Sequence, residues 1–366
     1  MKVISLIPGT TNVSLSDEPE PVISAGDEIK VKILEVGICG TDREEIAGGR
    51  ADAPEGKHRL IIGHEMFGRV TEVGKDVKEA KPGDYGVFMV RRGCGKCEAC
   101  LKGRSDLCYT GDYTERGIKA ADGYQAEYVV DKEQYFLKVP AEMKDIGVLT
   151  EPMSVAAKAI DESLIIQQAR LKDFDNAKNW LEGKRALVAG IGAIGLMAAF
   201  ALRLKGAEVL GMDVVDANTL RPQILRQIGG KYVDGRKVKV TNFNEEFGPA
   251  DFIFEATGIA DLQIDLIDAL AINGIYVATG IPTAERPSKI PAAEIMQRLV
   301  LRNQVVLGSV NASYHHYQLA VDYLGGCLRR WAGSIRAVIT ERVPFQNFER
   351  AMHTHSPEEI KLVIEW

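Results

Sequence analysis

The stretch RALVAGIGAIGLMAAFALRLKGAEVLGMD, residues 185–213, constrains the fold of this chain more than any other. It opens with a short apolar run at 186–189. Gly190, Gly192 and Gly195 follow in the spacing G-x-G-x-x-G. An apolar run of helical length continues to about Lys205, and Gly206 stops it. A second short apolar run, 208–212, closes on Asp213. Strand, turn, helix and strand in that order form a βαβ unit, which predicts a parallel sheet covered by helices on both faces. Taken alone, the uncharged run 186–202 reaches the lower edge of membrane-spanning length, but its three spaced glycines are better explained by the turn.

The glycine spacing in this context is a dinucleotide-binding fingerprint. Gly190 makes the tight turn, Gly192 lets the backbone approach a pyrophosphate, and Gly195 allows helix and strand to pack closely. The helix then opens at Ala193 and Ile194, whose free N–H groups and aligned dipole favour the negative charge of the phosphates. Asp213 stands at the end of the second strand, eighteen positions after Gly195. A carboxylate there accepts from the ribose hydroxyls of NAD and repels a 2′-phosphate, so NAD is expected over NADP. Arg221 is the first basic residue after it and is expected to lie too far along to matter.

Strand-like runs recur downstream at 250–258, 274–280 and 305–311, with a helical stretch at 262–271 between the first two. Residues 161–185 read as a helix and connector leading into the first strand. Ligands of a doubly wound sheet bind at the carboxyl ends of its strands, which places Thr257, Gly258, Gly280 and Asn311 near cofactor or substrate.

Four of the six cysteines fall within GCGKCEACLKGRSDLC, as Cys94, Cys97, Cys100 and Cys108. Two disulfides this close would need strained small loops, whereas four thiolates on a tight turn and a return strand suit tetrahedral zinc. With four protein ligands such a zinc has no open position and stabilises a lobe. A second centre is suggested by Cys39 in VGICGTD, His64 and Glu65 in IIGHEMFGRV, and Glu151 in VLTEPMSV. Cysteine, histidine and carboxylate are the ligands of catalytic zinc, where an open position remains. Each alone is more often an ordinary core or surface residue, and their joint occurrence carries the inference. Cys327 has no ligand-type neighbour and reads as core.

The net charge of -6 argues against a nucleic-acid partner. The N-terminus MKVISLIPGTTN breaks at Pro8 and reads as a first strand rather than a secretory leader, so a cytoplasmic protein with reduced cysteines and no membrane partner is expected.

Taken together, GICGTDRE (37–44), GHE (63–65), RRGCGKCEAC (91–100), GDYTERGI (111–118), EPMSV (151–155), VNA (310–312) and EIKLVIEW (359–366) resemble the zinc-containing medium-chain dehydrogenases, most closely their microbial glucose 1-dehydrogenase branch. The resemblance covers the whole chain. It implies an α/β protein: a mostly-β GroES-like catalytic domain over 1–153 and 311–366, with both zinc sites, and a Rossmann NAD-binding domain over 154–310. It implies two zinc ions per chain, with Cys39 and His64 as ligands of the catalytic one. Glu65 is then a ligand or a carboxylate exchanging with water, and Glu151 the third or fourth ligand. Thr41 matches the hydroxyl that relays the substrate proton, Asp42 the partner that orients His64, and Glu115 and Asn311 positions that contact sugar hydroxyls. The implied reaction is hydride transfer from a sugar or polyol hydroxyl to NAD, with an aldose giving a lactone. A homo-oligomer, dimer or tetramer, is implied as well. Members of the branch commonly carry polar residues where this chain has Val90 and Ala157, which leaves a polyol, cyclitol or amino sugar as the alternative substrate. A zinc-independent quinone or enoyl reductase of the same fold would not need Cys39, His64 and Glu151 together.

Overall fold

A computed structural model describes residues 1–173, 177–282, 290–353, 356 and 358–366; part of the expected connector, 174–176, lies outside them. The chain divides into two compact units. One comprises Met1–Ser154, Asn311–Leu328 and Ile335–Trp366, the other Val155–Val310 and Arg329–Ser334.

The first unit is built on a seven-stranded sheet whose longest strand is Glu28–Gly37. Val31, Ile33 and Val36 of that strand are fully buried, as expected of a β-branched run packed within a core. It pairs antiparallel with Glu65–Val73 on one side, where Gly37 lies opposite Glu65. On the other side it pairs with the C-terminal strand Lys361–Glu365, where Gly37 lies opposite Val363. The chain end therefore returns to the first unit and helps to frame one place, the end of the Glu28–Gly37 strand. The seven-residue helix Gly40–Ile46 starts directly after it. Beneath them Ile4, Leu6, Ile38, Ile46, Leu60, Val343, Phe348 and Ile364 form a closed apolar cluster.

The second unit holds a six-stranded, all-parallel sheet. Its order is Lys231–Asp234, Glu208–Asp213, Arg185–Ala189, Ala250–Glu255, Leu270–Ala278, Val305–Gly308. This is the doubly wound architecture predicted from the glycine unit. The apolar run that resembled a membrane span is the strand Arg185–Ala189 and the twelve-residue helix Ala193–Leu204. Among the described residues no helix is long and apolar enough to cross a membrane.

Two expectations change. The helix expected over 262–271 is a short helix Ala260–Asp265 followed by a 3-10 turn Leu266–Ala269, and Leu270 already begins a strand. Leu266, Ile267 and Leu270 are buried in the sheet core, so an apolar run that looked helical serves a turn and a buried strand. Residues 329–334, expected with the first unit, cluster with the second, where the Trp331 ring sits 6.1 Å from that of Phe200.

Candidate active site and metal centres

Cys39 caps the Gly40–Ile46 helix, and its backbone N–H donates to Asp42 Oδ2 at 2.7 Å. Gly63, at φ 88°, makes the left-handed turn that delivers His64 to the start of the Glu65–Val73 strand. A Cβ on Gly37 would lie 2.2 Å from Glu65 Oε2, so any larger residue there would push that carboxylate aside. These three local features bring the ligand atoms of Cys39, His64 and Glu65 within 4.8 Å of one another. Glu151 stands outside that group, in the first turn of the helix Thr150–Arg170. The Cys39 thiol lies 3.9 Å from Thr41 Oγ1.

Charge is concentrated here. His64 Nδ1 faces Asp42 Oδ1 at 3.6 Å, both residues being buried. Burial disfavours the His64 cation, yet the Asp42 carboxylate together with Cys39 outweighs it and holds the imidazole pKa well above its ordinary value. With Nδ1 facing a carboxylate, Nε2 is the atom left to ligate a metal, which would displace its proton. Burial, and then the charge of Glu65, push the Glu151 carboxyl up to about 7.

The structure supplies a partner that sequence reasoning missed. Lys361 is 3% exposed, and its Nζ donates to Glu65 Oε1 and Oε2 at 2.7 and 2.6 Å and to the Ile38 carbonyl at 3.0 Å. The signal was a lysine at the head of the apolar run KLVIE, since a buried ammonium has to be paired. Glu45 was missed as well. It is fully buried on the helix that carries Asp42, and among the described residues neither of its oxygens has a hydrogen-bond partner.

In the four-cysteine loop all four Sγ atoms lie within 4.8 Å of one another. Cys94 and Cys100 Sγ are 3.8 Å apart, far beyond the roughly 2.05 Å of a disulfide and equal to the edge of a tetrahedron with about 2.3 Å metal–sulfur bonds. A Cβ on Gly93 would lie 2.4 Å from Cys100 Sγ. A hydrogen bond from the Thr110 hydroxyl pulls the Cys108 thiol down to about 5, while burial pushes Cys100 up to about 12. The donor set and spacing fit one tetrahedral ion, and the sulfur, nitrogen and oxygen set at Cys39, His64 and Glu65 fits the same metal. The expected return strand is absent: Cys97 caps the short helix Glu98–Leu101, and Cys108 follows the 3-10 turn Ser105–Leu107.

Glu115 and Asn311 meet. Asn311 Nδ2 donates to Glu115 Oε1 at 2.7 Å, from a backbone held at φ 61°, a region asparagine tolerates. Arg91 donates to the same oxygen from Nε and Nη2 at 3.1 and 2.9 Å. Asn311 clusters with the first unit.

In the second unit Gly190 turns at φ 83°, and a Cβ on Gly195 would lie 1.8 Å from the Gly190 carbonyl. Gly192 caps the helix that begins with Ala193 and Ile194, with open space where its Cβ would be. Asp213 Oδ2 accepts from the Ile191 N–H at 2.9 Å, and Oδ1 from that of Val214 at 2.7 Å. Arg221 overturns an expectation: its Nη1 lies 3.8 Å from Asp213 Oδ2. The helix Leu220–Gln227 brings this residue back to the strand end, a return that distance along the sequence concealed. Thr257, Gly258 and Gly280 surround the buried carboxylate of Glu255. Its Oε1 accepts from Thr257 N, Thr257 Oγ1 and Gly258 N at 2.6, 2.6 and 3.0 Å. Its Oε2 accepts from Gln263 Nε2 at 2.7 Å and Gly280 N at 3.3 Å. Glu255 ends the apolar run ADFIFE, and that was its signal.

A family model described as the alcohol dehydrogenase GroES-like domain matches residues 25–141, and one described as the glucose dehydrogenase C-terminus matches 144–366. The chain is 35% identical to the glucose 1-dehydrogenase of Methanocella arvoryzae, covering 100% of this chain and 99% of that one. It belongs to the glucose dehydrogenase branch of the zinc-containing medium-chain dehydrogenases. Glucose 1-dehydrogenase of Thermoproteus tenax is 33% identical over the same shares of the two chains. The structure of Haloferax mediterranei glucose dehydrogenase in complex with NADP, Zn and gluconolactone superposes with a TM-score of 0.89 at 30% identity, covering 100% of this chain and 99% of that one. Val90 and Ala157, where the resemblance led polar residues to be expected, are both buried, 2% and 0% exposed.

Proposed function

We propose that this chain is a zinc-dependent dehydrogenase that oxidises the anomeric hydroxyl of an aldose to a lactone with a nicotinamide dinucleotide as hydride acceptor. The observation that carries the reading is the gathering of Cys39, His64 and Glu65 in one unit with Asp42 behind the imidazole. Cys39, His64 and a carboxylate, Glu65 or Glu151, would hold the catalytic ion, and Cys94, Cys97, Cys100 and Cys108 the structural one. Bound zinc supplies Lewis acidity toward the alcohol oxygen. Asp42 fixes the tautomer and aim of His64. Thr41 Oγ1 takes the substrate proton and passes it outward. Glu115 and Asn311 hold a sugar hydroxyl. Lys361 neutralises Glu65 where the metal does not.

Gly190, Gly192, Ala193, Ile194 and Gly195 would cradle the pyrophosphate, with Thr257, Gly258 and Gly280 at the adjoining strand ends. Asp213 accepts from the ribose hydroxyls of NAD. The guanidinium of Arg221 beside it provides a cation for a 2′-phosphate, so NADP is accepted too. The NADP in the Haloferax relative is consistent with this. Met296, Val300 and Leu301 on the helix Ala292–Leu301 and Val306 on the edge strand Val305–Gly308 are exposed, which supports a homo-oligomer. The reduced cysteines suit the cytoplasm.

The test is nicotinamide reduction with glucose, galactose, xylose, sorbitol and inositols, together with product identification. Aldose turnover to a lactone is expected. A ketone from a polyol or cyclitol alone would favour the second reading, which rests on apolar Val90 and Ala157.

A further inference from the structure

Arg91 is 6% exposed and lies in the two-residue strand Arg91–Arg92, directly opposite Glu115 in the strand Thr114–Arg116. Its guanidinium works in two directions. Nε and Nη2 donate to Glu115 Oε1, while Nη1 donates to the Asp106 carbonyl at 3.1 Å. Asp106 belongs to the segment between Cys100 and Cys108, and the Ser105 hydroxyl beside it donates to the Arg91 carbonyl at 3.5 Å. The Tyr113 ring covers the guanidinium, with its centroid 3.8 Å from Cζ. Arg91 thus joins the four-cysteine loop to Glu115. Asn311 adds its donor to the same Oε1, so the three side-chain donors converge on one oxygen.

We propose that Arg91 is a positioning residue of the sugar subsite. It holds Glu115 by Oε1 so that Oε2 is presented to a substrate hydroxyl, and it takes its own position from the four-cysteine loop. This rests on the reading of Glu115 as a sugar contact. A guanidinium is needed, because only a planar fork serves a carboxylate and a carbonyl at fixed angles while stacking on an aromatic ring; an ammonium is a single point. Without it Glu115 is left to sample rotamers that substrate binding must then freeze, which weakens binding and leaves the chemistry at Cys39 and His64 untouched.

The experiment measures sugar KM and kcat at saturating cofactor for wild type, Arg91→Lys, Glu115→Gln and the double variant, with zinc content and melting temperature alongside. Glu115→Gln is expected to raise the sugar KM about 10-fold or more. Arg91→Lys should raise it about 5- to 10-fold with kcat within about 2-fold, cofactor KM unchanged and zinc content unchanged. The double variant should be no worse than Glu115→Gln, because both changes remove one interaction. An unchanged sugar KM in Arg91→Lys, effects that multiply in the double variant, or a fall in kcat alone would overturn the proposal. An unchanged KM in Glu115→Gln would remove the sugar-contact reading itself and the proposal with it. Should Arg91→Lys fail to fold, Tyr113→Leu decides: loss of the stacking face should raise sugar KM about 2- to 5-fold at constant kcat, and no rise overturns the proposal.

Discussion

The cofactor preference turns on one residue contact. Asp213 repels a 2′-phosphate, and Arg221, 3.8 Å away, attracts it. Asp213→Ala should raise the KM for NAD about 10-fold and leave that for NADP within about 3-fold, while Arg221→Ala should penalise NADP. Equal losses for both cofactors in Asp213→Ala would contradict this. Glu45 gives a pH prediction. Burial, and then the charge of Asp42, push its carboxyl up to about 9. The folded protein therefore binds a proton that the unfolded chain releases near pH 4.3. A folded pKa raised above the unfolded one means that stability falls as pH rises from about 4 toward 9. In zinc-free protein, Glu45→Gln cannot ionise and should be more stable than wild type by about 1–3 kcal/mol at pH 8, with the gap closing near pH 4. Urea unfolding at both pH values reads this, and a gap independent of pH would refute it.

At the scale of elements, the strands Arg91–Arg92 and Thr114–Arg116 that flank the four-cysteine loop are tied to Asp131 by ion pairs. Arg92, next to the loop in the chain, and Arg116 both donate to Asp131 Oδ2 at 2.6 Å. Cys94→Ser should lower the melting temperature by about 5 °C or more and release one zinc per chain. It should leave kcat within about 3-fold. A fully stable but inactive variant would assign that ion a catalytic role. What was legible in the sequence follows from range. The glycine turn and the cysteine loop are contiguous, so spacing alone gives the turn and the gathering of the four sulfurs, though not the short helix and 3-10 turn that replace the expected return strand. Lys361 and Glu65 are 296 residues apart, and Asn311 and Glu115 are 196. No local pattern encodes those meetings; for Asn311 and Glu115 resemblance named both residues but not their bond. The 262–271 stretch misled because buried turns and buried helices share an apolar composition.

For the whole molecule, the strand Val305–Gly308, an edge of the sheet among the described residues, and the exposed apolar side chains of the Ala292–Leu301 helix should be covered by a second copy. Light scattering should show a dimer or tetramer, and Val306→Asp with Val300→Asp should shift it toward monomer. A monomeric wild type would contradict this. The central claim is that Cys39 and His64 would hold the catalytic zinc of an enzyme in which a nicotinamide dinucleotide oxidises a sugar. One measurement tests it most directly: zinc per chain, determined together with glucose-driven nicotinamide reduction, in wild type and Cys39→Ser. The account predicts two zinc ions and activity in wild type, and one zinc ion with activity below about 1% in the variant. Undiminished turnover in Cys39→Ser, or turnover in wild type stripped of all zinc, would contradict it.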